Sequence, residues 1–466
     1  MRSWRARLLS GSVLAVSLLA LGCGNQYRPV VSAINPVGPA GQPAKYAIAI
    51  SNPGPTLPGL LTFVDFAGDT VLTTPQILSN PSYLALSPVT GEATTGFVIN
   101  SAGSFNEFPD GSPASLISSD IVQSTLSAGA TPVSITSLTL AGTTPTIFVP
   151  EPGLSQIAAL STSGGSLEQN ISILNNPVYV VGTDNALRAY AIGQGNGTDN
   201  GTVSSIESVN LAVASTIPVG VDPVYGVMTA DGRRAFILNK GSGTVNVINV
   251  INNGLDNNST LGPNSTIAVG LNPVWADLAP TNAELVVLNA GDGVHAGSLS
   301  IISIPLCSAA AQPTNPNCDA ANPVDATGFG TVLKTVPVGV NPKMVSVLQD
   351  GTKAYVANAG VDCTGIPSGC TTVEGSVSVV DLTSGTVTAT IPAVSSAPAT
   401  AGADTTPGSV YGHPATIVAT TGSPTGKVYV TSPDNKYLTI IETDTNTVVS
   451  HVNLQGLGVR VVITQQ

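Results

Sequence analysis

The sequence predicts an all-β protein, a β-propeller of four-stranded blades. Three observations support this: the composition, a unit that recurs about every 45–50 residues, and two chain ends that complete each other. Only 9% of the 466 residues are charged, whereas glycine (49 residues) and proline (35 residues) are abundant. An average globular domain carries about 25% charged residues. Valine and threonine favour strands while glycine and asparagine favour turns, so the composition indicates many short strands joined by turns.

The repeat is clearest in the stretch TIPVGVDPVYGVMTADGRRAFILNKGSGTVNVINV, which begins at Thr216. Similar units begin at Thr266 and Thr335, and weaker copies occur elsewhere. Each unit has four short apolar runs between turn signals, which is typical of a propeller blade. A proline precedes the first run, where it removes no hydrogen bond from the sheet. These prolines are Pro81, Pro132, Pro177, Pro223, Pro273, Pro342 and Pro414.

The two ends of the repeated region predict how the ring closes. Residues 44–51 resemble a second strand and residues 60–75 a third and a fourth strand, so this first blade lacks an innermost strand. The C-terminal VNLQGLGVRVVI resembles the missing strand and is expected to fill its place. Seven proline-started units and one composite unit predict eight blades. Seven blades is the alternative, because the unit at Pro81 has a poor third strand.

The segments AYVANAG (354–360) and KVYVTS (427–432) resemble the YVTN repeat family of bacterial propellers, whose members are often exported. The resemblance covers most of residues 44–464 and is clearest in the units at Pro223, Pro273 and Pro342. It implies the propeller fold. It implies little about function, because propellers host both enzymes and binding scaffolds.

The N-terminus is predicted to direct export. Three arginines precede an apolar run, residues 8–21, that is too short to span a bilayer comfortably. The following ALGC resembles a bacterial lipobox, with Ala20 in place of the usual leucine. The resemblance implies a signal peptide (1–22) and a lipid on Cys23. Plain secretion with cleavage nearby is the alternative.

Residues 23–43 are predicted to be a Pro/Gly-rich tether that carries the lipidated cysteine, and residues 44–466 a single propeller domain. Gly24, rather than aspartate, follows the cysteine. By resemblance to Gram-negative lipoproteins, this implies an exported protein that is lipid-anchored in the cell envelope, at the outer membrane.

Four further cysteines lie in two loops, Cys307 with Cys318 and Cys363 with Cys370. In an exported protein two local structural disulfides are the natural pairing. The spacings are not typical of a zinc site, and no histidine adjoins either pair.

The predicted strand order determines which loops share a face. Loops that join strand two to strand three, and those that join successive blades, emerge on what we call the first face. The remaining loops emerge on the second face. We predict binding on the first face, stiffened by Cys363 and Cys370, because functional residues often sit on loops and long loops collect there. Tolerated insertions are the alternative. These loops are 52–58, 193–201, 291–296, 360–374 and 393–412.

The second residue after a blade proline is often large, and the first strand of each blade lines the central channel. Two readings remain open: a ring of ligand-binding aromatic side chains at the channel mouth, or packing between blades. Lys343, which precedes Met344, is a further candidate ligand contact. The large residues are Tyr83, Tyr179, Tyr225, Trp275 and Met344.

Two histidines are candidate ligand contacts on the first face: His295, close to Asp292, and His413, which precedes a blade proline. A metal site that includes Asp292 or Asp362 is the alternative. We assign no catalytic residue, metal ligand or cofactor. The sequence has no C-x-x-C-H haem motif and no P-loop. Its two tryptophans are too few for the repeated motifs that quinoprotein dehydrogenase propellers show.

The net charge of −12 and the scattered lysines and arginines argue against a nucleic-acid partner. The sequence therefore favours a non-enzymatic, monomeric, lipid-anchored propeller that binds a protein, glycan or small ligand outside the cytoplasm. Its membrane contact would be the N-terminal lipid. The alternatives are a propeller hydrolase such as a lactonase, with carboxylate and metal chemistry, and a structural or assembly role in the cell envelope.

Overall fold

The computed structural model describes residues 46–87, 95–100, 103–109, 115–162, 164–256, 261–279, 283–305, 328–363, 370–394, 408–420 and 426–464. They form eight sheets of four or five strands, antiparallel except for one short parallel pair in blade seven, and together these make a β-propeller with eight blades. The predicted signal peptide, the tether with Cys23, and the pair Cys307 and Cys318 lie outside the described residues. Within them, no helix is long and apolar enough to cross a membrane.

The strands follow the repeat. Blade one contains β1 (Tyr46–Asn52), β2 (Pro58–Asp65), β3 (Val71–Thr73) and β4 (Gln76–Ser79), with a last strand from the C-terminus. Blade two contains β5 (Pro81–Leu86), β6 (Thr95–Asn100), β7 (Ser104–Pro109) and β8 (Val122–Thr125). Blade three contains β9 (Thr136–Leu138), β10 (Thr146–Glu151), β11 (Gln156–Ser161) and β12 (Leu167–Ser172). Blade four contains β13 (Pro177–Val181), β14 (Arg188–Gly193), β15 (Asn200–Glu207) and β16 (Val213–Val221).

The second half of the ring repeats this order. Blade five contains β17 (Pro223–Met228), β18 (Arg234–Asn239), β19 (Thr244–Asn249), β20 (Gly254–Leu255) and β21 (Thr266–Ala268). Blade six contains β22 (Pro273–Ala279), β23 (Glu284–Asn289), β24 (Ala296–Ser303) and β25 (Thr331–Val340). Blade seven contains β26 (Pro342–Val347), β27 (Lys353–Asn358), β28 (Ser376–Asp381), β29 (Thr386–Val394) and β30 (Val410–Tyr411). Blade eight contains β31 (Thr416–Ala419), β32 (Lys427–Thr431), β33 (Tyr437–Glu442) and β34 (Thr447–Asn453). Short 3-10 helices occupy Ser118–Asp120 and Pro152–Leu154.

The C-terminal strand closes the ring as the sequence predicts. β35 (Leu457–Ile463) pairs antiparallel with β1, with Ile48 opposite Val462. A hydrogen bond from the Tyr46 amide to Thr464 Oγ1, at 3.0 Å, ties the two ends together. The unit at Pro81 also forms a complete blade, because β7 pairs with β6 and β8. Eight blades are therefore confirmed.

The core consists of apolar layers between neighbouring blades. One layer joins Val286, Leu288 and Leu299 of blade six to Val345 and Val356 of blade seven. The second strand of each blade lies in the middle of its sheet and is covered on both faces, so all six residues of β18 are buried. This explains why the sequences of the second strands are continuously apolar and do not alternate between apolar and polar residues.

A buried asparagine ends several second strands and accounts for the recurring asparagine of the repeat. Asn289 Nδ2 donates to Ser300 Oγ at 3.0 Å, and Asn358 Nδ2 donates to Ser378 Oγ at 2.9 Å. These bonds join the second strand to the third. The asparagines are therefore structural.

The polar residue before many blade prolines adopts a left-handed backbone conformation, which asparagine and aspartate tolerate better than most residues. The residues are Asn80, Asn176, Asp222, Asn272 and Asn341, with φ between 51° and 61°.

Candidate ligand-binding site

The innermost strands of the eight blades line the central channel, and neighbouring inner strands contact each other around the ring. Polar side chains tie one inner strand to the backbone of the next. Thr136 Oγ1 donates to the Val180 carbonyl at 3.1 Å, and Ser346 Oγ accepts the Ala419 amide at 3.0 Å. Because these bonds cross between blades, they hold the wall of the channel in one arrangement.

Three of the predicted aromatic residues stack on one another inside the channel. The ring centroids of Tyr179 and Tyr225 lie 4.7 Å apart, and those of Tyr225 and Trp275 lie 4.0 Å apart with nearly parallel planes. Each ring also packs against the apolar layer beside its own blade. The two readings of these positions are therefore compatible, since the side chains face one another and also pack between blades.

Arg460, on β35, completes this group from the opposite side of the ring. Its guanidinium carbon lies 3.9 Å from the centroid of the Tyr83 ring and 5.4 Å from that of Trp275. Blades one and two face blade six across the ring, so Arg460 bridges the channel. We call Tyr83, Tyr179, Tyr225, Trp275 and Arg460 the channel cluster.

Arg460 was not among the site residues predicted from the sequence. The available signal was a single arginine within the apolar segment GVRVVI, which is predicted to line the channel. A β-bulge where β35 pairs with Ile50 and Ser51 shifts the register at this point. Repeat alignment alone does not show such a shift.

A cavity of about 310 Å³ lies against the channel cluster, between the inner strands of blades one to four. Polar and aromatic lining residues include Tyr83, Thr136, Ser137, Tyr179, Asp184 and Arg460. The cavity extends to Gly182, Thr183 and Asp184, in the connection between β13 and β14. That connection joins strand one to strand two, so the cavity lies towards the second face. The long loops had directed the prediction to the first face.

Two carboxyl groups of the channel region have raised pKa values. Burial raises the pKa of Asp277, two residues after Trp275, to about 6. Its Oδ2 accepts the Val347 amide and its Oδ1 the Leu278 amide, both at 2.8 Å. Burial also raises the pKa of Asp184, whose Oδ1 accepts the Thr139 amide at 2.8 Å.

The tyrosines of the stack remain protonated at neutral pH. Burial is the main cause that raises the pKa of the Tyr179 and Tyr225 hydroxyls above their usual range. Both hydroxyls therefore keep their proton, and they interact with each other through a side-chain hydrogen bond.

The predicted first-face residues lie on separate blades. His295 Nδ1 lies 2.5 Å from Asp292 Oδ2, within one exposed loop of blade six. The His295 amide, the His295 ring and the Val294 amide hold the pKa of Asp292 below its usual range. His413 Nδ1 lies 2.7 Å from Asp434 Oδ2 in blade eight.

Lys343, in blade seven, has a pKa lowered by partial burial and by the charge of Lys240. In the part of the chain that the structure describes, no three His, Cys, Asp or Glu side chains gather in a way that suits a metal ion. His295, Lys343 and His413 therefore lie on three different blades, and none of their described contacts is with the channel cluster.

The predicted disulfide between Cys363 and Cys370 is confirmed, with a Cα–Cα distance of 5.7 Å. It lies in the connection between β27 and β28, on the first face. Val361 and Val373 exchange two backbone hydrogen bonds, of 2.8 and 2.9 Å, at the base of the same loop. The crosslink therefore stiffens a loop that is already closed at its base.

Comparisons with known proteins support the fold and leave the function open. A family profile described as Choice-of-anchor I domain matches residues 317–406, a small part of the chain. No curated protein sequence matches. The chain is similar in structure to the dihydro-heme d1 dehydrogenase NirN, with 10% identity over 89% of this chain and 74% of NirN and a TM-score of 0.57. It is also similar to AztD from Citrobacter koseri, with 11% identity over 91% of this chain and 98% of AztD and a TM-score of 0.52. At such low identity these likenesses show the propeller fold alone.

Proposed function

We propose that this chain is a non-enzymatic, ligand-binding β-propeller of the bacterial cell envelope that takes a small molecule into the channel cavity. The observation that carries the proposal is the channel cluster, in which an arginine is stacked on aromatic rings beside a cavity of about 310 Å³.

The cavity has the features of a small-molecule site. Ligand pockets commonly measure about 300–1,000 Å³ and combine apolar walls with a few placed polar groups. This cavity is at the lower end of that range, which favours a small ligand. Its walls include Leu84, Ile135 and Leu138, while Arg460 and Asp184 supply charged groups. Hydrogen bonds between inner strands hold the cavity walls in place, so binding a ligand requires little loss of conformational entropy from the protein.

The envelope location rests on three observations of different kinds. The ALGC sequence that ends at Cys23 resembles a lipobox, and the repeats resemble those of the often-exported YVTN family. The disulfide between Cys363 and Cys370 suits an oxidising compartment. We propose outer-membrane anchoring through a lipid on Cys23, with the folded domain as a monomer held off the membrane by residues 23–43.

Asp277 favours a second candidate function, a propeller hydrolase. A carboxyl group on an inner strand with a pKa of about 6 has the acidity of a general base. Both of its oxygens, however, already accept backbone amides. Binding therefore remains the better-supported function.

Equilibrium dialysis of the full chain against a low-molecular-weight extract of bacterial envelopes tests the two candidates, with mass spectrometry on both sides of the membrane. Binding predicts that at least one compound concentrates unchanged on the protein side, and that Trp275→Ala abolishes the enrichment. Hydrolysis predicts that a compound is consumed and that Asp277→Asn prevents this. If no compound is enriched or consumed, both candidates are wrong.

Fractionation tests the anchoring separately. The wild-type chain is expected in the membrane fraction and Cys23→Ser in the soluble fraction, because the variant cannot carry the thioether-linked lipid. Cys363→Ser controls for the loss of a cysteine. A Cys23→Ser variant that stays in the membrane fraction would show that the lipobox interpretation is wrong.

A further inference from the structure

We propose that the channel cavity binds a small monocarboxylate that carries a hydroxyl or ammonium group, with its carboxylate on the Arg460 guanidinium. The inference rests on the proposed function, because it names the chemical class of the ligand of the same cavity.

The Arg460 guanidinium is held in a defined position. Its Nε donates to the Leu84 carbonyl at 3.1 Å, and its central carbon lies over the rings of Tyr83 and Trp275. The backbone bond occupies only Nε. The two terminal nitrogens therefore remain for other partners.

No protein carboxylate pairs with Arg460 among the residues that the structure describes. The guanidinium is partly buried in the channel wall, where a charge without a partner is costly. A bound anion would remove this cost. The planar fork of an arginine matches the two oxygens of a carboxylate, which it binds through parallel hydrogen bonds.

The charges of the cavity favour a monoanion over phosphate. Asp184 lines the same cavity and contributes a carboxyl group to its wall. Phosphate groups carry more than one negative charge at neutral pH. Near the Asp184 carboxyl group, a ligand with one carboxylate therefore meets less repulsion than phosphate does.

Two further groups of the cavity suit a ligand that also donates hydrogen bonds. Asp184 uses Oδ1 to accept the Thr139 amide, which leaves Oδ2 as an acceptor. Ser137 is only 5% exposed, and its Oγ has no hydrogen-bond partner among the described residues. Because a buried polar atom normally has a partner, this oxygen indicates a ligand hydroxyl or ammonium group at this side of the cavity.

Tryptophan fluorescence provides a local reporter for the test. The chain has two tryptophans, Trp4 and Trp275, and Trp275 belongs to the channel cluster. With Trp4→Phe as the background, the emission comes from Trp275 in the channel, whether or not the proposed signal peptide (1–22) has been removed. The probes that match the proposed ligand are lactate and alanine. Propionate lacks the hydroxyl or ammonium donor, lactamide lacks the negative charge, and inorganic phosphate tests for a different anion.

Lactate or alanine is expected to change the emission saturably. Propionate should bind more weakly and phosphate more weakly still, and lactamide should have no effect. Removing the charged donor with Arg460→Gln should weaken binding at least about tenfold, the lower range for hydrogen bonds to charged groups. Arg460→Lys keeps the positive charge but cannot form two parallel hydrogen bonds to a carboxylate. Its affinity for lactate should therefore lie between those of wild type and Arg460→Gln.

Lys436→Gln is the matched control, because it removes one positive charge at an exposed site away from the channel. Thermal unfolding of each variant reports whether it folds. If Arg460→Gln does not fold, the comparison of lactate with lactamide on the wild-type protein still decides the question.

The inference would be overturned by the absence of a saturable response to any carboxylate, by equal binding of lactamide and lactate, or by unchanged affinity in a folded Arg460→Gln variant. Phosphate that binds as tightly as lactate would show an unselective oxyanion site and contradict the carboxylate assignment. If the dialysis experiment enriches a ligand of another class, the proposed function stands and only this inference fails.

Discussion

Asp277 makes the stability of the propeller depend on pH in a direction that its environment determines. Burial raises the pKa of this carboxyl from 3.8 to about 6 in the folded chain. The folded state therefore holds a proton between about pH 4 and pH 6 that the unfolded chain has released. Stability is greatest below the unfolded pKa and falls as the pH rises through the folded value.

The size of this effect follows from the two pKa values. A rise from 3.8 to about 6 corresponds to about 3 kcal/mol in the free energy of unfolding, lost between about pH 4 and pH 7. Asp277→Asn removes the titration. In the variant the asparagine NH2 group replaces one carboxyl oxygen and points at a backbone N–H. Because both groups are donors, one hydrogen bond is lost, which lowers the free energy of unfolding by about 1–3 kcal/mol at every pH.

Urea unfolding of wild type and Asp277→Asn across this pH range measures both effects. The free energy of unfolding of wild type minus that of Asp277→Asn is expected to fall by about 3 kcal/mol from pH 4 to pH 7, so that an advantage of about 1–3 kcal/mol at pH 4 disappears or reverses. Subtracting the free energy of unfolding of the variant from that of wild type cancels the contributions of the other carboxyl groups. Asp199→Asn, in an exposed loop, controls for the loss of one negative charge. A difference that stays constant across the range would refute the argument.

Three further predictions concern the construction of the ring. Asn289→Ala removes the bond to Ser300 and should lower the free energy of unfolding in urea by about 1–3 kcal/mol; an unchanged value would contradict a structural role. Cys363→Ser opens the loop closed with Cys370 and should cost about 2–3 kcal/mol, a difference that a reducing agent should abolish. Deleting residues 457–466 removes β35 and should abolish cooperative thermal unfolding, whereas a cooperative transition like that of wild type would show that the ring does not need this strand.

Local patterns were sufficient for the fold. Strand length, turn residues and the spacing of the blade prolines are properties of short segments, and a repeat multiplies a weak signal. The same repeat predicted the closing strand, since a first blade without an inner strand needs one from elsewhere. The disulfide between Cys363 and Cys370 was predictable because the two cysteines share one loop.

The position of the site was less predictable. Four members of the channel cluster were candidates in the sequence, because a large residue recurs two positions after the blade proline. The sequence placed the binding loops on the first face by their length, whereas the cavity lies towards the second face. Loop length shows where insertions are tolerated, and it contains no information about where inner strands leave space.

The sequence by itself determined the all-β class, the eight repeated units and the way the two ends meet. It also determined the residue types available for chemistry, which include few charges and three histidines. Only the tertiary structure decided which side chains share the channel. Arg460 donates to Leu84, a residue 376 positions earlier, and it reaches Trp275 across the ring. Contacts of this kind depend on ring closure and on a β-bulge in one strand. No local pattern encodes them, because they form only when all eight blades are assembled.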